Sequence, residues 1–307
     1  MTLQQLRQVL TIAESNSMNE AAKKLFVSQP NLSATVREVE EELGITVFMR
    51  NNRGITVTAE GEEFLGYAKQ VVEQYHLLEN RYLNVESKKK FSVSMQHYSF
   101  AVKAFVQLAK EVGMDEYEFA VHETKTKEVI DNVKNLKSEI GVLYLSDFNE
   151  KVLRKLFKEC DIEFKELFTC NTYVYLWKKH PLAGKKVITL DDLQEYPCLT
   201  FEQGVNNSFY YAEEMMSTYE YKRVIKADDR ATMLNLMVGL NGFTLCSGII
   251  SEDLNGDDYA AIPLKESEKM HIGYIKHKGT KLSKLGEIYI DALKTVSYTH
   301  LRAHETL

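Results

Sequence analysis

The stretch from Ser17 to Glu42 constrains the fold of this chain more than any other part of the sequence. It has the pattern of two short helices joined by a tight turn. Ser17, with Glu20 three residues later, forms a capping box, which predicts the start of the first helix. Ser28 predicts the cap of the second helix, with Pro30 in its first turn, where a missing N–H is tolerated.

The second helix has one apolar face and one hydrogen-bonding face. Apolar residues recur at spacings of 4, 3 and 4, which predicts one buried stripe made of Leu32, Val36, Val39 and Leu43. The opposite face carries Gln29, Ser33 and Arg37. Gly44 predicts the end of this helix. The short turn that precedes the helix, Phe26-Val27, is expected to be buried. This arrangement suits a recognition helix, whose N-terminal residues reach base edges in the major groove, although an ordinary helical hairpin is the alternative.

The neighbouring segments favour the DNA-binding interpretation. Upstream, Thr2 and Gln5 form another capping box, which predicts a first helix for the other two to pack on. Downstream, two β-rich runs flank a turn at residues 51–54, which predicts a hairpin, or wing. Arg53 lies at its tip and Arg50 at its base, where wing arginines contact DNA backbone or the minor groove. The alternative for either arginine is a solubilising charge on a turn.

A long helix is predicted from Thr58, as its cap, to about Glu86. Its apolar residues recur at alternating spacings of 4 and 3 and form the seam Phe64, Ala68, Val71, Tyr75, Leu78, Tyr82 and Val85. A helix of this length spans about 42 Å. One apolar seam on such a helix needs a partner, and a twofold dimer supplies it.

Length and charge bound what else the chain can be. With 307 residues, two or three domains are expected. The net charge of −6 gives no bulk attraction to nucleic acid, so DNA binding has to come from a focused patch. No segment approaches the ~18 apolar residues of a membrane helix and no signal pattern is present, so we expect a cytoplasmic protein. The four cysteines lack C-x-x-C spacing, and we expect no metal and no cofactor.

From Phe91 the chain alternates predicted strands and helices. The rhythm over residues 91–145 is βαβαβ, which implies a parallel sheet with right-handed crossovers. Further strands are predicted at 163–168, 172–177, 198–201, 223–226, 243–246, 259–263 and 272–276. Helices are predicted at 206–218, 230–239 and 281–296. So many strands imply a second, smaller sheet.

This order of winged helix-turn-helix, long helix and α/β domain resembles the LysR-type family of transcriptional regulators. The N-terminal resemblance is carried by Ala21-Ala22, Leu25, Val27-Ser28-Gln29-Pro30, Leu32-Ser33, Glu40, Leu43-Gly44, Val47-Phe48, Arg50, Arg53 and Thr58 to Gly61. The later resemblance is carried by His180-Pro181-Leu182-Ala183, Ile188-Thr189-Leu190 and Asp192-Leu193. The family often has a basic residue directly after the recognition-helix serine. This chain has Ala34 there, which implies weaker binding or contacts shifted onto Arg37 and the wing.

The resemblance implies a multidomain fold. An N-terminal all-α winged helix-turn-helix with a long linker helix is followed by an α/β effector domain of the type 2 periplasmic-binding-protein kind. The implied boundaries are 1–58 for the DNA-binding domain, 59–87 for the linker and dimerisation helix, 88–90 for a hinge and 91–296 for the effector domain. Subdomain I comprises 91–165 and 267–296, and subdomain II comprises 166–266. Residues 297–307 lose the helical period and are interpreted as a non-native tail.

The expected function is sequence-specific regulation of transcription, switched by a small-molecule effector. The chain is expected to bind a promoter dyad as a homodimer that pairs into a tetramer, with RNA polymerase as a further candidate partner. The residues expected at DNA are Ser28, Gln29, Pro30, Asn31, Ser33, Ala34, Arg37, Arg50 and Arg53.

The effector is expected between the two subdomains, where strand ends and helix N-termini converge. The residues expected there are Tyr98, Ser99, Thr124, Thr126, Phe201, Gln203, Asn206 and Ser247. Hydroxyls and amides at helix starts favour a small anion, and a simple helix cap is the alternative role for each Ser or Thr.

Three other functions were weighed. An enzyme is disfavoured because the sequence has no phosphate-binding glycine motif, no H-E-x-x-H and no G-x-S-x-G. A solute-binding transport protein shares the sensor fold, but the N-terminal winged domain argues against it. A thiol redox switch could form if Cys160 and Cys170 paired on oxidation, although inert buried cysteines are commoner.

Overall fold

The computed structural model describes residues 1–15, 17–51, 54–82, 89–113, 116–206 and 208–305. The chain divides into two compact units, Met1–Ser87 and Lys88–Leu307. No helix in the described ranges is long and apolar enough to cross a membrane.

The first unit begins with three helices, α1 Leu3–Ala13, α2 Met18–Lys24 and α3 Gln29–Leu43. The hydroxyls that accept a backbone N–H at their starts are those of Thr2, Ser17 and Ser28. Gly44 ends α3 with a left-handed backbone, φ +70°, which glycine adopts without steric cost. These caps confirm the helix limits predicted from sequence.

The core of the first unit is formed by the apolar faces of these helices. Leu32, Val36 and Val39 of α3 are buried, and Val9 and Ile12 of α1 belong to the same cluster. Burying a leucine or valine side chain contributes about 1.5–3 kcal/mol, so the stripe predicted on α3 fixes that helix against α1. Its last predicted member, Leu43, is 37% exposed because the helix ends there.

The turn before α3 differs from its prediction. Phe26 is 96% exposed and has a left-handed backbone with φ +54°, so the expectation of a buried turn is wrong for this residue. The left-handed conformation directs the chain so that Val27, and not Phe26, packs on the core.

A hairpin and a long helix complete the first unit. Strands β1 Phe48–Asn51 and β2 Gly54–Val57 pair antiparallel, as the wing prediction required. Helix α4 spans Ala59–Tyr82, and the Thr58 hydroxyl accepts the Gly61 N–H at its start.

The predicted seam of α4 divides into two parts. Phe64 and Ala68 pack against α1 in the cluster that contains Leu6, together with Val72, which the seam did not include. Val71 and Leu78 are 51% and 55% exposed. Tyr75 is also exposed, and the Arg7 guanidinium lies over its ring at 5.4 Å from the centroid. The side chain of Tyr82 and all of Val85 lie outside the described residues.

The second unit opens with a five-stranded sheet. In chain order its elements are β3 Lys89–Met95, α5 Ser99–Val112, β4 Tyr117–Glu123, α6 Thr126–Lys134, β5 Ile140–Leu145, α7 Glu150–Glu159 and β6 Ile162–Cys170. β3 pairs parallel with β4 and β5, as the βαβαβ rhythm predicted.

A second region follows, built on smaller sheets. Its elements are β7 Tyr173–Trp177, α8 Leu190–Leu193, β8 Cys198–Phe201, β9 Val224–Ala227, α9 Arg230–Leu240, β10 Thr244–Cys246, α10 Glu252–Asn255 and β11 Tyr259–Pro263. β7 lies between β10 and β11 in an antiparallel sheet, and β8 pairs parallel with β9. The chain then returns to the first sheet through β12 Met270–His277, which inserts between β5 and β6, and ends in α11 Lys284–Glu305.

Three predicted boundaries differ from the structure. β6 stays in the five-stranded sheet as far as Cys170, which pairs with Met270, so the first crossover follows residue 170 and not 165. Lys89 and Lys90 of the predicted 88–90 hinge already pair with β4. The helical period continues past residue 296, because Ser297 is buried and its hydroxyl donates to the Leu293 carbonyl.

One predicted helix is wrong. Residues 206–218 contain a short 3-10 turn, Phe209–Tyr211, followed by irregular backbone with Met216 at φ +57°. This segment is held by contacts to other elements, described below, rather than by its own helical hydrogen bonds.

Candidate DNA-binding surface and effector cavity

The solvent face of α3 gathers polar side chains at its N-terminal end. Ser28, Pro30, Asn31, Ala34 and Arg37 are exposed. Gln29 and Ser33 are half-buried, and the Gln29 amide donates to the Ser33 hydroxyl at 2.8 Å. The first N–H groups of a helix carry partial positive charge, so this end of α3 suits phosphate and base edges.

The acidic residues of α3 are used within the first unit. Glu40 accepts the backbone N–H groups of Val47 at 2.7 Å and Phe48 at 3.0 Å, which ties the first wing strand to the helix. Glu42 pairs with the N-terminal ammonium at 2.6 Å. These contacts partly compensate the charges of the two carboxylates. Both carboxylates also lie toward the C-terminal end of α3, away from the N-terminal polar face.

The wing arginines are only partly described. Arg50 lies in β1, paired with Ile55 of β2. Its side chain, like the whole of Arg53 at the predicted tip, lies outside the described residues.

The second unit contains a cavity of about 80 Å³ that opens to solvent. Its lining comes from both regions of the unit. The apolar part is made of Met233, Leu234, Met237, Leu245, Ile249, Ile250 and Met270. The polar part is made of His97, Tyr98, Ser99, Tyr175, Glu213, Glu214, Arg230, Thr244, Ser247 and Asn255. Such a mixture suits a small organic molecule with few polar groups.

The eight residues predicted at the effector site fall into two groups. Those that line the cavity are Tyr98, Ser99, Phe201 and Ser247. Those that do not line it are Thr124, Thr126, Gln203 and Asn206. Thr126 is the first residue of α6, and its N–H donates to the Gln203 side-chain oxygen at 3.1 Å, so these two join the regions beside the cavity. Thr124 donates to Glu128, one turn into α6.

Sequence reasoning missed the acidic pair Glu213–Glu214 and His97. Glu213 accepts the His97 backbone N–H at 3.0 Å, and the His97 Nδ1 lies 2.8 Å from the same carboxylate oxygen. The Gln203 amide donates to its other oxygen at 2.9 Å. The Phe201 N–H donates to Glu214 at 2.9 Å. The feature of the sequence that could have indicated Glu213 and Glu214 is two adjacent acidic residues in a segment otherwise rich in aromatic and methionine residues.

The surroundings of Glu214 alter its acidity. Burial, and then the adjacent Glu213 carboxylate, raise the pKa of Glu214 to about 8. Burial also raises the pKa of Tyr98, which donates its hydroxyl hydrogen to the Gln96 side chain. Around neutral pH, Glu214 is therefore largely protonated when the cavity is empty.

Several contacts cross from the five-stranded region to the second region. His97 stacks on Phe201 with ring centroids 3.6 Å apart. Arg230 pairs with Glu123, and the Lys125 ammonium lies 3.4 Å from the Asp228 carboxylate. A ligand in the cavity touches residues of both regions, and could therefore change the angle between them.

The structure does not bring together Cys160 and Cys170, the pair considered for the redox alternative. Cys160 follows α7, whereas Cys170 lies at the far end of β6, about 25 Å away along the strand at ~3.3 Å per residue. A disulfide needs Cα atoms within about 7 Å, so these two cysteines are too far apart to pair. Burial raises the pKa of Cys170 and Cys246 to about 12, which keeps these thiols protonated at neutral pH.

Two family models match this chain. Residues 3–62 match the bacterial regulatory helix-turn-helix protein, lysR family, and residues 96–297 match the LysR substrate binding domain. The chain therefore belongs to the LysR family. It is a DNA-binding transcriptional regulator with an effector-binding domain, as the resemblance implied.

Individual relatives cover nearly the whole chain. The HTH-type transcriptional regulator CysL of Bacillus subtilis is 25% identical over 301 residues, which cover 94% of this chain and 96% of CysL. A full-length OxyR variant from Pseudomonas aeruginosa has a TM-score of 0.69 at 20% identity, covering 96% of this chain and 95% of that one. The LysR-family regulator CbnR has a TM-score of 0.58 at 17% identity, covering 96% and 99%. These structures confirm the predicted fold class.

Proposed function

We propose that the N-terminal half of α3 reads DNA sequence in the major groove and that the wing arginines contact the backbone. The observation that carries this proposal is the exposed polar face of α3, in which Gln29 and Ser33 are joined by a hydrogen bond opposite the buried stripe. A good bidentate contact to a base contributes about 1–3 kcal/mol of discrimination. The proposed DNA-contacting residues are Ser28, Gln29, Pro30, Asn31, Ser33, Ala34, Arg37, Arg50 and Arg53.

The proposed domain plan follows from this role. Residues 1–58 form the DNA-binding domain, 59–87 the linker and dimerisation region, and the chain from Lys89 to the end of α11 the effector domain. The exposed residues Val71, Tyr75 and Leu78 on α4 would meet the same residues of a second copy. A dimer would place two recognition helices on successive turns of a promoter dyad. Two dimers would form a tetramer that contacts RNA polymerase in the cytoplasm.

The proposed switch lies in the cavity of the second unit. An effector that touches both regions binds more tightly to a conformation with one angle between the subdomains than to another. This difference in affinity shifts the population toward the conformation that binds more tightly. A changed angle would alter the spacing of the DNA-binding heads. The raised pKa values of Cys170 and Cys246 disfavour the redox alternative, because a thiol reacts as its thiolate.

The test of the DNA-reading proposal is Gln29→Ala. We expect the ratio of affinities for target and scrambled duplexes to fall about tenfold, because one base contact is lost while phosphate contacts remain. Fluorescence anisotropy with both duplexes measures this ratio. Glu41→Ala, on the exposed C-terminal half of the same helix, is the matched control and should leave the ratio unchanged. An unchanged ratio in Gln29→Ala would show that α3 is not the reading element.

A further inference from the structure

The acidic side chains around the cavity outnumber the basic side chains that are free to balance them. Glu213 and Glu214 both line it, with 7% and 5% of their surfaces exposed. Arg230 also lines it, but its guanidinium is paired with Glu123. Among the described lining residues, His97 is the remaining nitrogen base, and it already contacts Glu213. The cavity therefore has at least one carboxyl group that no basic side chain of the lining serves.

We propose that the effector carries a protonated amine, which Glu213 and Glu214 hold, and an apolar body that packs on the methionine and leucine side chains of the cavity. This inference deepens the proposed function, because it rests on the cavity being the effector site. Polar recognition at one end and apolar packing over the rest is the usual composition of a small-molecule site.

An independent observation also points to a ligand. The Thr244 hydroxyl lines the same cavity, the residue is 6% exposed, and its oxygen has no hydrogen-bond partner among the described residues. A buried hydroxyl without a partner costs free energy, which a bound group can recover. An ammonium group has three donors, which matches in number two carboxyl groups and one hydroxyl oxygen.

The proposed effector is a cation, whereas the helix starts predicted an anion. Two of the groups that suggested an anion are already engaged. The Ser99 hydroxyl accepts the Ser251 N–H at 3.3 Å, and the Thr126 N–H donates to Gln203. An anion in the cavity would also meet two buried carboxyl groups, which disfavours it.

Binding of an amine should be linked to proton release. Near pH 7, Glu214 is largely protonated because its pKa is about 8. An ammonium beside it favours the ionised form, so the bound complex gives up that proton. The other ionisable groups beside Glu214 are Glu213, Tyr98, Tyr144, Tyr221 and Cys198, with His97 and Glu268 next to these. Burial raises the pKa of Tyr98, Tyr144, Tyr221 and Cys198, so these four stay uncharged.

The experiment is titration calorimetry of the full chain with three probes of equal length, n-butylamine, n-butanol and butyrate, at neutral pH. Each probe is titrated in phosphate and in MOPS, two buffers without a primary amine whose different ionisation enthalpies report proton release. We expect butylammonium to bind at least tenfold more tightly than the other two, with release of up to one proton. Glu214→Gln should remove both the preference and the proton release, while Glu195→Gln, at an exposed carboxylate, should keep them.

A second variant tests the proposal independently, in case Glu214→Gln fails to fold. Thr244→Val keeps the shape of the side chain, and we expect it to weaken butylammonium binding severalfold. The proposal is overturned if butyrate binds as tightly as the amine, if Glu214→Gln retains the amine preference, or if no probe binds up to about 50 mM. Fluorescence anisotropy on the same preparations, with target and scrambled duplexes, tests the proposed DNA-binding function separately. If the chain still prefers the target duplex, the proposed function holds and only the amine effector is ruled out.

Discussion

At the scale of single residues, Glu214 couples the cavity to pH. Its carboxyl group is buried beside Glu213, and it accepts one N–H from outside its own residue, that of Phe201. Burial raises its pKa from 4.5 to about 8. Between these two pH values the folded chain keeps a proton that the unfolded chain has lost.

This shift predicts a decline in stability with rising pH. Because the folded state binds the extra proton, the contribution of Glu214 to the free energy of unfolding is fully present below about pH 4.5 and is lost as the pH rises through about 8. Glu214→Gln stays neutral in both states, so its unfolding free energy should fall less between these pH values than that of the wild type. Urea unfolding of the second unit at several pH values measures the difference. Parallel pH profiles for variant and wild type would contradict the shift.

At the scale of elements, Glu40 connects the recognition helix to the wing. Its carboxylate accepts the N–H groups of Val47 and Phe48, just where the chain enters β1. Gly61 contributes to the same junction, since a Cβ there would lie 2.4 Å from the Val47 carbonyl oxygen. The position of the wing beside α3 therefore depends on these contacts together with the burial of Val47 and Phe48 in the core.

Replacing Glu40 by alanine tests this connection. Glu40→Ala leaves two partly buried N–H groups without their acceptor, and each such loss costs about 1–3 kcal/mol. We expect a lower free energy of unfolding for the first unit and, if the wing contacts the DNA backbone as proposed, weaker binding to all duplexes alike. Chemical unfolding followed by circular dichroism measures the first effect, and anisotropy measures the second. Glu41→Ala is the control, and an equal loss of stability in that variant would count against the role of Glu40.

Elements governed by local signals could be predicted from the sequence. The caps at Ser17 and Ser28, the glycine stop after α3 and the strand at 198–201 needed only neighbouring residues. The segment 206–218 could not be predicted, because Glu213 and Glu214 are held by groups distant in the sequence, His97 and Phe201. These tertiary contacts outweigh the helical period of the segment.

The candidate sites also contain some residues that local signals predict and others that depend on tertiary contacts. The face of α3 follows from helical periodicity alone, so its polar residues could be placed in advance. Tyr98, Ser99, Phe201 and Ser247 lie at strand ends, where ligands bind in α/β sheets, and they do line the cavity. Glu213 and Glu214 could not be placed at the cavity in advance, because adjacent residues point in different directions in the helix predicted at 206–218.

At the scale of the whole molecule, α4 has an apolar surface that the first unit does not cover. Val71 and Leu78 are 51% and 55% exposed on this helix, and Tyr75 lies between them. Burying such residues against a second copy would contribute about 25 cal/mol per Å² of apolar area. This is the surface that the proposed dimer would use.

Leu78→Lys tests the proposed dimer. A charge in the centre of an apolar helix pair cannot be buried without a partner, so we expect the dimer to dissociate to monomers at micromolar concentration. Size-exclusion chromatography with light scattering measures the mass. Glu73→Lys, also exposed on α4, is the matched control and should remain dimeric. A Leu78→Lys variant with the mass of the wild type would place the interface elsewhere.

This LysR-family chain is proposed to read DNA sequence through α3. The decisive experiment is fluorescence anisotropy of the full chain with a duplex from upstream of its own gene, against a scrambled duplex of equal length at near-physiological salt. We expect a preference of about a hundredfold or more for the upstream duplex. Equal affinity for both duplexes, in the presence and absence of n-butylamine, would show that the chain does not read this sequence.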